Sequence, residues 1–361
     1  MIPYENLLEV NKSFTDAFRQ QFDDFLSSGW YILGKQVNQF EEQFAKWNES
    51  AHCVGVANGL DALSLSLQAC AFAPGDEVIV PSNTYIATIL SILNNNLTPV
   101  LVEPDIRTYN INPELIEQAI TPKTRAIMVV HLYGKCCDMD AILAIKNKYN
   151  LVLIEDCAQA HGAAYKNQKA GTFGEFGAFS FYPTKNLGAL GDAGAVTTSN
   201  SQTANIIRQL RNYGSSVKYY NERIGANSRL DELQAAFLNI KLQALDDINN
   251  HKRRLAAMYL QKLKSDYILP VTGDDYHDVY HIFNIRHEKR DKLKAYLLEN
   301  SIGTEIHYPL PPHQQKALLP LFEGRHFPVA EEIHQTTLSL PCSYCHTEAD
   351  ISYIIGKLNS F

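Results

Sequence analysis

The sequence of 361 residues predicts an α/β fold, with a large domain on a mostly parallel, buried sheet and a small α+β domain at the C-terminal end. Three observations carry this. Short β-branched runs alternate with helical patterns from about residue 52 onward. A long apolar stretch at helical spacing begins near Arg229, and beyond it strand and helix patterns recur on a smaller scale. A chain this long exceeds one comfortable hydrophobic core, so the domains are placed at 1–245 and 246–361.

The strand candidates of the large domain are 52–57, 77–81, 99–103, 126–131 and 151–155, with one further short strand at 195–198. Asn112-Pro113-Glu114 sets an N-cap, a first-turn proline and an acid in the order that opens a helix. Residues 229–263 read as one long helix bridging the domains, with Leu230, Leu233, Ala236, Phe237, Ile240 and Leu245 at mostly three- and four-residue steps. In the small domain, strands are expected at 279–285 and 304–308 and helices at 289–300 and 347–358. The last helix opens on Thr347-Glu348-Ala349-Asp350, a capping box.

Composition excludes several classes. Hydrophobic residues at 45% and charged residues at 20% are ordinary globular values, so the chain is expected to fold throughout. A formal charge of −7 disfavours nonspecific binding to nucleic acid or an anionic membrane, both of which need clustered Lys and Arg. No basic and apolar leader opens the sequence and no apolar run approaches a membrane span, which predicts a cytoplasmic protein. Seven cysteines without a secretory signal read as reduced thiols. Cys342-Ser343-Tyr344-Cys345-His346 matches covalent haem attachment, but that chemistry accompanies export, and the capping box makes these cysteines incidental. Cys136-Cys137 lacks a second pair at zinc-ligand spacing, so no metal is expected.

The chemistry gathers in two segments. Asp156 follows directly on the 151–155 strand, with Gln159 and His161 close behind, and carboxyl ends of parallel strands are where open α/β sheets bind ligands. Lys185 sits in Gly177-Ala178-Phe179-Ser180-Phe181-Tyr182-Pro183-Thr184-Lys185, followed by Gly191-Asp192-Ala193-Gly194. Small and aromatic neighbours desolvate an ammonium and lower its pKa, as Schiff-base chemistry with an aldehyde requires. A lone loop lysine would be read as solvated; this one has Asp156 and a glycine-rich turn for company. Gly188, Gly191 and Gly194 do not form the G-x-G-x-x-G fingerprint after a first strand, which argues against a nicotinamide dehydrogenase.

Together with Gly29-Trp30-Tyr31-Ile32-Leu33-Gly34, Glu155-Asp156-Cys157-Ala158-Gln159-Ala160-His161-Gly162 and Ile306-His307-Tyr308-Pro309, these segments resemble the DegT/StrS-type nucleotide-sugar aminotransferases nearly end to end. The resemblance implies fold type I, with pyridoxal 5'-phosphate as cofactor and pyridoxamine phosphate as its aminated form. It makes Lys185 the Schiff-base lysine and proton carrier, and Asp156 the partner of the pyridine nitrogen that keeps the ring an electron sink. Gln159 would bond the phenolic oxygen, Tyr85 would stack on the ring, and Gly59, Leu60 and Ser180 would hold the phosphate. Asn227 would reach the phosphate from a partner subunit, which makes the active unit a homodimer.

For the sugar nucleotide the candidates are Tyr31, Tyr182, Arg211, Lys218, Tyr219, Tyr220, Arg229, His307 and Tyr308. Many relatives carry Gly-Thr-x-Ala-Leu and Gly-Asp-Gly-Gly where this chain has Gly59-Leu60-Asp61-Ala62-Leu63 and Gly191-Asp192-Ala193-Gly194. Both variants look like the branch that aminates C3 of dTDP-3-keto-6-deoxyhexoses with L-glutamate as donor, the galacto sugar favoured over gluco. C4 amination and a cofactor-binding regulator without turnover are the alternatives. A dehydratase of similar fold usually replaces the lysine with histidine, and Lys185 argues against it.

Overall fold

A computed structural model describes residues 1–361. Seven strands form the central sheet: β1 (His52–Val56), β2 (Glu77–Pro81), β3 (Thr98–Val102), β4 (Thr124–Val130), β5 (Val152–Asp156), β6 (Phe176–Ser180) and β7 (Gly194–Thr198). Their order is β1-β7-β6-β5-β4-β2-β3. The five from β6 to β3 run parallel, whereas β7 is antiparallel to both its neighbours. These strands are buried almost throughout, because helices cover both faces and leave no solvated side to alternate toward.

One face is covered by Lys35–Asn48, Glu232–Leu242 and Met139–Tyr149, whose Phe40, Phe44, Leu238 and Ile142 pack with Phe179 and Phe181. The other carries Gly59–Cys70, Ile86–Asn94 and Ser201–Leu210, packed with Val54, Val78, Met128 and Ala178. Residues 318–330 contribute Leu318, Phe322, Phe327 and Ala330 to this second cluster. A third cluster, from Leu255 to Leu358, joins the helices Leu245–Lys262, Arg290–Glu299 and Glu348–Ser360 to the antiparallel pair Phe283–Arg286 and Thr337–Leu340. The first residues join this unit, since Ile2 exchanges backbone hydrogen bonds with Ser301 and Gly303 at 2.8 Å each.

Several expectations are corrected. The stretch read as one helix over 229–263 is two, Glu232–Leu242 and Leu245–Lys262, broken at Gln243-Ala244; the second helix starts on the sheet core with Leu245 and enters the small unit's core from Leu255. Asn112 does cap Glu114, at 3.1 Å, but opens two 3-10 turns rather than an α-helix. Residues 304–308 make only an isolated bridge, Glu305 with Ser339. The strand expected over 279–285 is reduced to Phe283–Arg286, and β6 had been read only as a chemical motif. Thr347 and Asp350 form the capping box, and His346 accepts the Ser343 amide at 2.9 Å, so Cys342 to His346 is the turn that leads into it.

Candidate active site

The carboxyl ends of β4, β5 and β6 open onto a cavity of about 560 Å³. Gly59, Leu60, Tyr85, Asp156, Gln159, Ser180, Tyr182, Lys185, His307 and Tyr308 all line it, so most of the sequence-predicted site is brought together in one place. Thr84, His281 and Asp192 line it as well and were missed.

At one end, Asn58 caps the helix Gly59–Cys70 by accepting the Asp61 amide at 2.9 Å, and its carbonyl takes the Ala62 amide at 3.0 Å. The amides of Gly59 and Leu60 are therefore left pointing out of the helix N-terminus, where the dipole favours an anion. Glycine is required at this turn. A Cβ at position 59 would lie 2.6 Å from the Ser180 Cβ, and one at 194 would lie 2.4 Å from the Asn58 carbonyl.

At the other end, Asp156 closes β5. Its Oδ1 accepts the Ala158 amide at 3.1 Å and its Oδ2 accepts the Thr88 hydroxyl at 2.9 Å. Burial pushes its pKa up, opposed by those two donors and by the charge of Lys185. Behind it, Glu155 locks the following loop by accepting the amides of Gly171, Phe173 and Gly174 at 2.7 to 2.8 Å, and it pairs with His131 at 2.9 Å. Cys157 lies close to that pair, but the Glu155 oxygens are already taken by N–H donors and His131 Nδ1 accepts the Cys137 amide. The cluster reads as a structural clamp.

Lys185 follows a tight turn in which its amide donates to the Tyr182 carbonyl at 2.8 Å. Burial brings its pKa down to about 8, with Asp156 pulling the other way. The neighbouring imidazoles stay neutral: burial and Lys185 bring His161 to about 3 and His307 to about 4, and hold His281 well below its usual value. Gln159 accepts the Tyr133 amide at 2.6 Å and donates to the Tyr308 hydroxyl at 2.9 Å. Tyr308 thus accepts from Gln159 and keeps its own O–H for a ligand. The Tyr85 ring lies 5.3 Å from that of Tyr308.

The remaining sequence candidates lie outside this cavity. Tyr31 packs against Phe25 at 4.8 Å, and Arg229 donates to Asn212 at 2.9 Å. Asn227 bridges to Asn212 through the backbone. Lys218 and Tyr219 form the exposed tip of the hairpin Ser215–Val217 with Tyr220–Asn221. Arg211 is corrected: it is buried in a salt bridge with Glu41, donates to the Gly55 carbonyl at 2.6 Å, and holds β1 rather than a ligand.

A free-amide anion cradle, a half-buried amine of lowered pKa and a buried carboxylate, set around one cavity at the strand ends, match the phosphate, aldehyde and ring nitrogen of pyridoxal phosphate. The cradle leaves no room for a Cβ, and each Asp156 oxygen has spent only one of its acceptor sites within the chain. This fold and site define a fold-type I pyridoxal-phosphate enzyme. Residues 12–359 match the model of the DegT/DnrJ/EryC1/StrS aminotransferase family, and the chain belongs to that family.

Among its relatives is the dTDP-3-amino-3,6-dideoxy-alpha-D-galactopyranose transaminase of Aneurinibacillus thermoaerophilus, 51% identical over 100% of this chain and 99% of that one. Among solved structures, Streptomyces venezuelae DesV in complex with a ketimine intermediate superposes with a TM-score of 0.97 at 42% identity, covering 99% of this chain and 98% of the other. NtdA from Bacillus subtilis, with bound cofactor PMP, gives 0.93 at 30% identity over 99% and 84%. The cofactor of this chain is pyridoxal phosphate, and its reaction is amino transfer.

Proposed function

We propose that this aminotransferase carries the amino group of L-glutamate to C3 of a dTDP-3-keto-6-deoxyhexose of galacto configuration, giving the dTDP-3-amino-3,6-dideoxyhexose. The observation that supports the sugar assignment is the 51% identity, end to end, with the galactopyranose transaminase. When bound, the cofactor supplies an aldehyde that takes up the amino group and a ring that accepts electron density. Lys185, with its pKa brought down to about 8, accepts and returns the proton at the reacting carbon. Asp156 would hold the ring nitrogen protonated, Gln159 would bond the phenolic oxygen, and Gly59, Leu60 and Ser180 would hold the phosphate. Tyr182, His307 and Tyr308 bond the hexose as neutral groups.

The working unit is a homodimer. Lys185 is the one Lys or Arg among the cavity's lining residues, while a nucleotide pyrophosphate and the carboxylates of glutamate all call for cations. Lys218, Tyr219, Arg229 and Tyr31 of one protomer would serve the cavity of the other, with Asn227 on its cofactor phosphate. Exposed apolar side chains at Trp30, Tyr31, Ile32, Tyr213, Tyr219, Tyr220 and Ile224 supply the surface that such a contact would bury. No helix is long and apolar enough to cross a membrane, and the cytoplasm, where nucleotide sugars are at hand, is the proposed compartment.

The test is to incubate purified holoenzyme with L-glutamate and a panel of 3-keto and 4-keto nucleotide sugars, following 2-oxoglutarate and the amino sugar by mass spectrometry. Product from the dTDP-3-keto-6-deoxygalactose substrate alone, or foremost, is expected. Product only from 4-keto sugars, or none from any, overturns the assignment.

A further inference from the structure

Two buried hydroxyls stand in line behind Asp156. Thr88 Oγ1 is 2.9 Å from Asp156 Oδ2, and Thr84 Oγ1 is 2.7 Å from Thr88 Oγ1. Thr84 is 2% exposed and Thr88 0%, so water does not compete for these bonds. Thr88 lies in the first turn of the helix Ile86–Asn94, and Thr84 lies four residues before it, on the cavity wall. Neither was singled out by the sequence.

A hydroxyl carries one proton, and that count fixes the direction of the chain. An ionised Asp156 can only accept, so Thr88 spends its proton on Oδ2. The Thr84–Thr88 bond must then be donated by Thr84. Both protons point toward Asp156, and the arrangement favours the carboxylate: an acid protonated on Oδ2 would have to reverse both bonds, and one protonated on Oδ1 would offer Thr88 only a carbonyl oxygen in place of a charged one. We propose that Thr88, oriented by Thr84, is a positioning residue that holds Asp156 ionised and aimed at the cofactor ring nitrogen, and so governs how tightly the cofactor is retained as the pH falls.

The groups that face Asp156 make this donor pair matter. From its own strand end comes the Ala158 amide at 3.1 Å. Lys185, His131 at the end of β4, and the Tyr308 hydroxyl of the small unit face it from the other packed elements. The Lys185 charge favours the carboxylate only while the amine is free and protonated, and His131 is engaged with Glu155. The Ala158 amide and the Thr88 hydroxyl are the donors that remain on the two oxygens throughout. Removing the hydroxyl leaves Oδ2 buried with no protein donor, which raises the carboxyl pKa and moves its protonation to higher pH.

The inference rests on Asp156 facing the ring nitrogen, and its test needs no sugar, so it stands or falls apart from the substrate assignment. Pyridoxal phosphate affinity of the apoenzyme is measured by equilibrium titration from pH 5 to 8 in the parent and in Thr88→Val, Thr88→Ser, Thr84→Val and Asp156→Asn. Thr88→Val should weaken binding by about 10-fold or more near pH 6, the worth of a hydrogen bond to a charged group. Its acid limb should lie at higher pH than the parent's. Thr88→Ser, which keeps the hydroxyl, should restore the parent profile, and Thr84→Val should shift the limb in the same direction by less. Asp156→Asn should leave only the limb set by the Lys185 amine, and adding Thr88→Val to Asp156→Asn should not move it, which establishes that Thr88 acts through Asp156.

A purely structural role for Thr88 would lower affinity equally at every pH, and that result overturns the proposal. So does a Thr88→Val profile within twofold of the parent's. Should Thr88→Val not fold, Thr84→Val decides alone: an unmoved limb refutes the chain.

Discussion

Replacing Gly59 with alanine separates binding from stability at the phosphate turn. The new Cβ would fall 2.6 Å from the Ser180 Cβ and 3.3 Å from its Cα and Oγ. Carbon atoms rest at about 3.5–4.0 Å, so the helix start and the end of β6 must part by about 1 Å. Ser180 cannot yield by itself. It is paired in the sheet with Gly194, which lies against Asn58, so the displacement falls on the turn carrying the Gly59 and Leu60 amides.

Overpacking of this kind costs about 1–3 kcal/mol. Alanine in a helix recovers up to about 1 kcal/mol over glycine, and the apoenzyme should therefore lose no more than about 3 kcal/mol. A charge-assisted hydrogen bond is worth about 1.5–3 kcal/mol. Losing one amide from the phosphate should then weaken pyridoxal phosphate by about 10- to 100-fold. Titrating apoenzyme with cofactor, beside a urea melt without it, measures both terms. Gly191→Ala is the control, because its Cβ would meet only the flexible end of Gln234, at 3.0 Å. Affinity within twofold of the parent in Gly59→Ala would show that this close approach does not shape the cradle.

Two other outcomes follow from the same geometry. The rate at which apoenzyme captures pyridoxal phosphate should rise with pH through about 8, where burial has brought the Lys185 amine, since only the neutral amine attacks; stopped-flow absorbance measures it, and a midpoint above 10 would contradict the buried setting. Arg211→Ala should destabilise the fold by up to about 3 kcal/mol by leaving buried Glu41 with only the Gly55 amide at 2.9 Å and the Arg208 guanidinium at 4.0 Å, with little change in KM for the nucleotide sugar. A tenfold rise in KM at unchanged urea stability would instead restore Arg211 as a ligand residue.

The large sheet was legible where strand signals are local. β1 to β5 and β7 lie within a residue or two of the runs read from β-branched content, because strands buried on both faces concentrate such residues. β6 was overlooked because Gly177 and Ala178 weaken its propensity, and it is held by long-range pairing with β5 on one side and β7 on the other. The break at Gln243-Ala244 has no local cause, as both residues suit helices. Its setting is tertiary: Leu238, Leu242 and Leu245 on both sides of the break pack on the sheet core, and only from Leu255 and Tyr259 does the second helix address the small unit. Arg211 shows the limit of reading charge by position: a guanidinium near cofactor motifs looks like a pyrophosphate ligand until Glu41, 170 residues away, is seen to claim it.

The two departures from the more common family pattern become intelligible at the phosphate turn. Ala193 stands where many relatives have glycine, and its side chain is accommodated in the core while its carbonyl accepts the Phe181 amide at 2.7 Å. The next position has no such freedom, since a Cβ at 194 would lie 2.4 Å from the Asn58 carbonyl carbon and oxygen, both backbone atoms that cannot swing away. Leu60 replaces threonine at the helix start, where the amide remains available and only a hydroxyl is lost. Both changes therefore fall on side chains that the cradle does not need, while Gly59 and Gly194, whose backbones touch Ser180 and Asn58, are kept. In the proposed reading the anion site therefore rests on those backbone approaches and not on the side chains at 60 and 193.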